Sequence, residues 1–185
     1  MSPEAPVAST DPTTTAHAID LRPSTPTDRV FQHQVFAATR ADEMALVDWP
    51  VEQKLAFVRQ QFEAQDTYYH QNYPNATFDV VQVDGRRAGR LYVDRWPREI
   101  RVIDIALLPE FRGQGIGTVL LRRLQRETEV SSRTLSMHVE KFNRAQGLYA
   151  RLGFVQVADS GVYLLIEWKP AAVHAPQATG EGRVE

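Results

Sequence analysis

Apolar and polar positions along the chain follow two rhythms, and the places where one gives way to the other mark the elements. Ile19-Asp20-Leu21-Arg22 alternates with a period of two, as a short strand does, and Pro23 stops it. Ser24 to Thr27 supplies cap residues, and the apolar spacing from Val30 to Ala38 predicts a helix. A second helix is predicted over Val51 to about Tyr69, opened by Pro50, with Leu55, Ala56, Val58 and Phe62 on its apolar side. From Phe78 the period falls to two. Phe78–Val83 and Ala88–Asp94 read as strands joined by the turn Asp84-Gly85, and Ile100–Leu108 reads as a third consecutive strand. Beyond Pro109 the helical spacing returns: Gly117 to about Val130 aligns Leu120, Leu121 and Leu124, and turns Arg122, Arg123 and Arg126 outward. Thr134–Glu140 reads as a strand, Asn143–Leu152 as a short helix, and Phe154–Val157 and Val162–Trp168 as the last two strands. The order βααβββαβαββ describes an α/β fold, an α+β mixed sheet with helices on both faces.

The ends of the chain stand outside this order. Residues 1–18 and 170–185 hold few large apolar residues, so both are expected to be flexible tails around one domain, residues 19–169. An apolar content of 43% in 185 residues suits one domain with a real core. A net charge of −2 speaks against a nucleic-acid partner, which usually needs a basic excess. No apolar run nears the ~18 residues a membrane span requires, and the first residues carry no secretory signal. The lack of cysteine excludes a disulfide framework, a thiolate metal site and a cysteine nucleophile, and fits a cytoplasmic location.

The strand-to-helix junction holds the first candidate chemistry. Arg112-Gly113-Gln114-Gly115-Ile116-Gly117 sits where the third consecutive strand gives way to a helix. The first N–H groups of a helix have no internal partner, and the helix dipole favours negative charge there. Glycines let phosphate oxygens approach the backbone without a Cβ in the way. A plain turn that needs glycine reads the same way. Two phosphate loops can be tested directly. A Walker A loop requires Lys-Ser/Thr after its last glycine, whereas Thr118-Val119 follow Gly117. A Rossmann fingerprint requires a different spacing for its third glycine, and here three antiparallel-looking strands precede the loop. Both fail.

What remains, Arg112-x-x-Gly115-x-Gly117 after Ile103-Asp104-Ile105-Ala106-Leu107-Leu108-Pro109, resembles the coenzyme A-binding signature of the GNAT superfamily of N-acetyltransferases. Asn143-Arg144-Ala145-Gln146-Gly147-Leu148-Tyr149-Ala150-Arg151-Leu152-Gly153-Phe154 resembles the family's other signature: an Asn, a small residue, Leu-Tyr, then Leu-Gly-Phe. The two stand in the family's order about thirty residues apart, and the strand order from Ile19 to Trp168 matches as well. The resemblance implies the GNAT acyl-CoA N-acyltransferase fold. It implies an acetyl-CoA-dependent N-acetyltransferase that passes the acetyl group of this co-substrate directly to a primary amine of a small molecule or protein, with no metal. It further implies residue roles. The backbone of Ile105, Ala106 and Leu107 lies beside the pantetheine arm, and Arg112, Gly113, Gln114, Gly115, Ile116, Gly117 and Thr118 surround the pyrophosphate, cradled by the N–H groups from Gly113 to Thr118. Asn143 hydrogen-bonds the cofactor near its sulfur-bearing arm, Tyr149 protonates the leaving thiolate, and the N–H of Leu107 stabilises the oxyanion. From the residues alone, Asn143 also reads as a helix cap and Tyr149 as a core aromatic.

A neutral amine must attack the thioester, so a base or a water chain has to remove a proton. His138 and Glu140 share one face of the strand Thr134–Glu140, and in some relatives that strand supplies a glutamate base near the position of His138. A histidine needs little tuning to accept a proton near neutral pH. Asp104 is a third candidate, on the face opposite Leu107. The acceptor amine is expected between the first two helices and the final strands, where Gln60, Gln61, Gln65, Tyr68, Tyr69 and Tyr73 are polar or amphipathic. Glu63 and Asp66 there, and Asp42, Glu43 and Asp48 before them, offer negative charge to a cationic amine. The resemblance admits a homodimer. It also admits two other activities: a non-catalytic acyl-CoA-binding or sensing module, and a transferase for another acyl-CoA.

Overall fold

The computed structural model describes residues 17–170. Its elements run β1 (Ile19–Pro23), α1 (Arg29–Ala45), α2 (Val51–Asn72), β2 (Thr77–Val83), β3 (Arg86–Arg95), β4 (Glu99–Leu107), α3 (Ile116–Ser131), β5 (Thr134–Glu140), α4 (Gln146–Arg151), β6 (Val155–Asp159) and β7 (Tyr163–Trp168). The expected order βααβββαβαββ is therefore the observed one, with 3₁₀ turns at Pro26–Asp28 and Pro109–Phe111. The strands form one sheet in the order β1-β2-β3-β4-β5-β7-β6, in which only β4 and β5 pair in parallel. The hairpin turn at Asp84 and Gly85 has φ of +51° and +76°, the doubly positive geometry that matches the twist of paired strands. Most of both expected tails, residues 1–16 and 171–185, lies outside the described residues. His17 and the N–H of Ala18 both bind the Asp84 carboxylate, at 2.7 and 2.9 Å. Among the described residues, no helix is long and apolar enough to cross a membrane.

Each face of the sheet buries its own helices. Ile116, Leu120, Leu121 and Leu124 of α3 pack on Ile100, Val102, Leu135, Met137 and Val139, with Tyr149, Leu152 and Phe154 closing the same core. On the other face, Phe31 and Val35 of α1 meet Val80 and Ala106, while Phe36 packs on Val58 and Phe62 of α2. Each fully buried Leu or Val here contributes about 1.5–3 kcal/mol.

The helices depart from the sequence reading where their ends leave the sheet. α1 continues to Ala45 instead of stopping at Ala38, and α2 to Asn72 instead of Tyr69. Residues of good helix propensity such as Arg40, Ala41, Glu43 and Met44 carry the first extension, and the polar His70-Gln71-Asn72 the second. Leu55 is 62% exposed and Ala56 is exposed too; the buried apolar residues of α2 are Val58 and Phe62, which pack on Phe36 of α1. Conversely, α4 is shorter than expected and begins at Gln146, since Asn143 to Ala145 forms the turn that leads into it.

One irregularity shapes the centre of the sheet. Tyr92 faces Asp104 while Val93 faces Val102, so Ile103 is an extra residue on β4. A one-residue slip exchanges the faces of everything beyond it. Ile100 and Val102 enter the α3-side core before the bulge, and Ile105 and Leu107 border that core after it. Asp104 and Ala106 are thereby turned to the α1/α2 side. Without the bulge, the Asp104 carboxylate would point into the apolar core. The bend also ends the pairing with β5. The last pair is Val102↔Met137, although β4 runs on to Leu107 and β5 to Glu140.

A buried carboxylate fixes the entry to α1. Asp28, 2% exposed, accepts from two Arg22 nitrogens at 2.7 Å each, and from the N–H and hydroxyl of Thr25 at 3.0 Å each. These donors hold its carboxyl far below the usual range, the Arg22 hydrogen bonds contributing most. Asp28→Ala is expected to cost roughly 2–3 kcal/mol in urea unfolding, below the ~3–5 of a fully buried pair because Arg22 is partly exposed. A depressed folded-state pKa gives stability that is whole above the unfolded carboxylate value of about 3.9 and is lost as pH falls below it. The difference in stability between parent and variant is therefore expected to shrink below about pH 4, as followed by urea unfolding at a series of pH values.

Candidate active site

The loop after β4 has the shape of a cradle for an anion. Gly113 and Gly115 hold φ of +73° and +78°, which glycine adopts without the strain a Cβ brings. A Cβ built at either position meets nothing within 4 Å, so the space over the loop is open. Gly115 caps α3, and its carbonyl accepts from Val119 at 3.0 Å. Among the described residues, no acceptor takes the N–H groups of residues 113–118. Six unpartnered donors at a helix start fit a pyrophosphate. Arg112 stands apart from them: its guanidinium donates to the carbonyls of Leu107 at 2.9 Å and Ala38 at 3.1 Å, tying the end of β4 to α1. Ile116 turns its side chain into the core, and Gln114 donates to the carbonyl of Glu110 at 2.5 Å.

Beside the cradle, β4 and β5 diverge beyond Val102 and Met137 and open a cavity of about 840 Å³. Antiparallel strands turn the N–H and C=O of alternate residues to the same neighbour. The N–H of Leu108 donates to Ala88 of β3 at 2.8 Å, so Ala106 also faces β3, and Ile105 and Leu107 present their peptide groups to the gap. Of the three residues expected beside the pantetheine arm, these two offer free backbone to an extended ligand, while Ala106 lines the cavity with its peptide paired to β3. The Leu107 carbonyl is held by Arg112, which leaves its N–H directed at the gap.

Tyr149 reaches the cavity from the α3/α4 side. Its ring is 7% exposed and packs edge-on against Phe154, with centroids 6.1 Å apart. Burial, and secondarily the charge of Asp104, push its phenol up to about 12, so it is protonated at neutral pH. Asn143 also lines the cavity; its Oδ1 accepts from the N–H of Ala145 at 2.8 Å, while its side-chain N–H groups have no partner among the described residues. The two readings of Asn143 are thus compatible: one end of the amide shapes the turn, and the other is available to a ligand.

His138 and Glu140 stand on the α1/α2 side and both line the cavity. His138 Nδ1 lies 3.2 Å from an Arg101 nitrogen. A guanidinium only donates, so this ring nitrogen accepts, and the proton of the neutral ring sits on Nε2. Burial and the Arg101 charge lower the His138 pKa, with Glu99 opposing them. Glu140 is bound to Arg40 at 3.1 Å, and the same Arg40 nitrogen reaches Glu43 at 3.1 Å. Of the acceptor-side candidates, Gln65, Tyr69, Asp42 and Glu43 line the cavity, whereas Asp66 is paired with Arg29 at 2.6 Å.

The sequence reading missed the partner of Asp104. Arg90 on β3 is 2% exposed and donates to Asp104 at 2.7 Å and to Gln65 at 2.8 Å, and Tyr69 reaches the same carboxylate at 3.3 Å. The available signal was a charged residue flanked by apolar ones in each of two neighbouring strands, Arg90 before Leu91-Tyr92-Val93 and Asp104 between Val102-Ile103 and Ile105-Ala106. Buried charges are paired, so two such positions in neighbouring strands invite one another.

A model of the acetyltransferase (GNAT) domain matches residues 74–156. A Bacillus subtilis (strain 168) protein assigned as a [ribosomal protein bS18]-alanine N-acetyltransferase is 34% identical over 116 residues, 56% of this chain and 76% of the relative. Among solved structures, the PaiA N-acetyltransferase of Thermoplasma acidophilum in complex with coenzyme A superposes with a TM-score of 0.63 at 16% identity, covering 83% of this chain and 99% of that one. The ribosomal-protein-S18-alanine N-acetyltransferase of Escherichia coli gives a TM-score of 0.57 at 17% identity, over 85% and 99% of the two chains. The chain belongs to the GNAT family and is an acetyl-CoA-dependent N-acetyltransferase.

Proposed function

We propose that the protein transfers the acetyl group of acetyl-CoA directly to a primary amine carried on a polypeptide, with the thioester lying in the gap between β4 and β5. The observation that carries this reading is the gap itself, which reaches from Leu107 and Arg112, just before the open loop at residues 113–118, to the buried Tyr149. In this reading the six N–H groups hold the pyrophosphate, and the pantetheine arm adds to the free edge of β4 at Ile105 and Leu107. Asn143 contributes its side-chain N–H to that arm. As the amine attacks, the negative charge developing on the carbonyl oxygen meets the Leu107 N–H. Tyr149, protonated at neutral pH, gives its proton to the departing sulfur.

Two observations support a polypeptide acceptor over a small amine. The cavity continues past Arg40, Glu43, Glu140, Val162 and Tyr163 into a second hollow of about 380 Å³ lined by Met44, Phe57, Val58 and Gln61. This gives an acceptor room beyond its reacting nitrogen. The Bacillus subtilis relative, in addition, is assigned to the alanine of a ribosomal protein. Peptides of four to six residues starting with alanine are expected to release free thiol from acetyl-CoA with a kcat/KM at least about 100-fold above small alkylamines, the margin that several extra contacts in a groove provide. Equal turnover of both acceptor classes would refute the polypeptide reading. Acetyl-CoA binding without thiol release for any amine would favour a sensing module.

A further inference from the structure

The α1/α2 side of the sheet holds a buried ion pair that the steps above leave without a role. Arg90 is wedged between the rings of Phe36 and Tyr92, at 5.9 and 5.2 Å from their centroids, and its Nε is buried without a partner. Its contact with Asp104 goes to Oδ2, and so does that of Tyr69. Oδ1 of Asp104 accepts no hydrogen bond from any described residue. The bulge at Ile103 brings this carboxylate to the cavity wall, with the carboxylate only 13% exposed. The gap passes between the two sides of the sheet: Tyr149 approaches from the α3/α4 side and Asp104 from the other.

The neighbouring groups are otherwise engaged. His138 spends its free ring lone pair on Arg101, and Glu140, 39% exposed toward the mouth, shares Arg40 with Glu43. The groups facing Asp104 are Arg90 and Tyr92 from β3, Gln65 and Tyr69 from α2, and the Tyr149 phenol across the cavity. None of the tyrosines titrates near neutral pH, since burial raises all three.

We propose that Asp104 receives the acceptor amine: Oδ1 accepts a hydrogen bond from its nitrogen, aims the lone pair at the thioester carbonyl, and takes the proton released when the bond forms. Arg90 and Tyr69 are positioning residues that fix Oδ2 and so the direction of Oδ1. This rests on the reading that a primary amine attacks a thioester held in the β4–β5 gap. The amine lone pair forms the C–N bond, and the carbonyl π pair moves to the oxygen facing Leu107. The nitrogen, now cationic, loses a proton to Asp104. The oxygen pair then returns, the C–S bond breaks with its electrons on sulfur, and the Tyr149 proton goes to that sulfur. Solvent carries a proton from Asp104 back to Tyr149 and restores the enzyme. A carboxylate suffices as acceptor, because nitrogen bonded to the tetrahedral carbon is far more acidic than the free ammonium.

Asp104→Asn keeps the size of the side chain and is expected to lower kcat/KM for the amine by at least about 100-fold. Acetyl-CoA affinity, read by titration calorimetry, is expected to stay within about threefold. In Asp104→Ala, added formate is expected to restore part of the rate in proportion to its concentration, which a merely structural loss would not show. Should the unpaired Arg90 unfold either variant, Arg90→Met with Asp104→Asn removes both charges together and is expected to show the same loss of rate. The proposal is overturned if the Asp104→Asn or the double variant turns over within about threefold of the parent, or if His138→Gln loses more rate than Asp104→Asn. Failure of the underlying reading looks different: the parent enzyme itself would bind acetyl-CoA and acetylate no amine.

Discussion

Replacing Tyr149 by phenylalanine is expected to lower kcat by about 10²–10⁴-fold, the usual worth of a placed general acid, with little change in acetyl-CoA affinity. The ring lies in the core beside Phe154 and its hydroxyl donates to no described residue, so the variant keeps its packing and loses only the proton source. An interaction made only as sulfur departs appears in kcat and not in ground-state binding. The pH dependence follows from the same burial. With the phenol pushed up to about 12, Tyr149 stays protonated across the working range, so any fall in rate between about pH 8 and pH 10 belongs to another group. Stopped-flow thiol release and titration calorimetry on the parent and Tyr149→Phe proteins separate these effects. Equal kcat values would remove Tyr149 from the chemistry.

The second large effect belongs to the cradle and needs a control. Gly115→Val is expected to weaken acetyl-CoA binding by at least about tenfold, since a branched side chain would stand over the N–H groups that meet the phosphates. The open space around a Cβ at this site would make steric damage to the fold slight, but φ of +78° carries a conformational cost of about 1–2 kcal/mol for a residue other than glycine. Gly85 offers the matching case. It sits in the β2–β3 hairpin at φ +76°, also with nothing within 4 Å of a built Cβ. Gly85→Val is expected to lose similar stability and keep acetyl-CoA affinity. If both variants lose affinity alike, the loss at Gly115 comes from strain and the cradle assignment falls.

The parts of the fold that repeat a local rule could be read from the chain. Thr134–Glu140 appears as expected, and so does the Asp84-Gly85 turn, because alternation and doubly positive φ are set by neighbouring residues. The junction of β4 with α3 was legible for the same reason: glycine spacing and a strand-to-helix switch lie within a few residues. The bulge at Ile103 was not, since Ile100–Leu108 reads as an unbroken strand and the slip is defined only against β3. With it went the side of the sheet that Asp104 occupies and its pairing with Arg90. The exposure of Leu55 and Ala56 was hidden too, because helical spacing records a face and not what that face meets. The competition of Arg101 for His138 and of Arg40 for Glu140 is likewise a matter of strand and helix neighbours far apart in the chain.

The account turns on where the co-substrate lies, and a crystal structure of the protein with coenzyme A tests that most directly. The expected result is a pyrophosphate about 3 Å from several N–H groups of residues 113–118, a pantetheine arm along Ile105 and Leu107, and the sulfur beside the Tyr149 hydroxyl. A pyrophosphate bound away from this loop, or a sulfur remote from Tyr149 with the β4 edge empty, would contradict it.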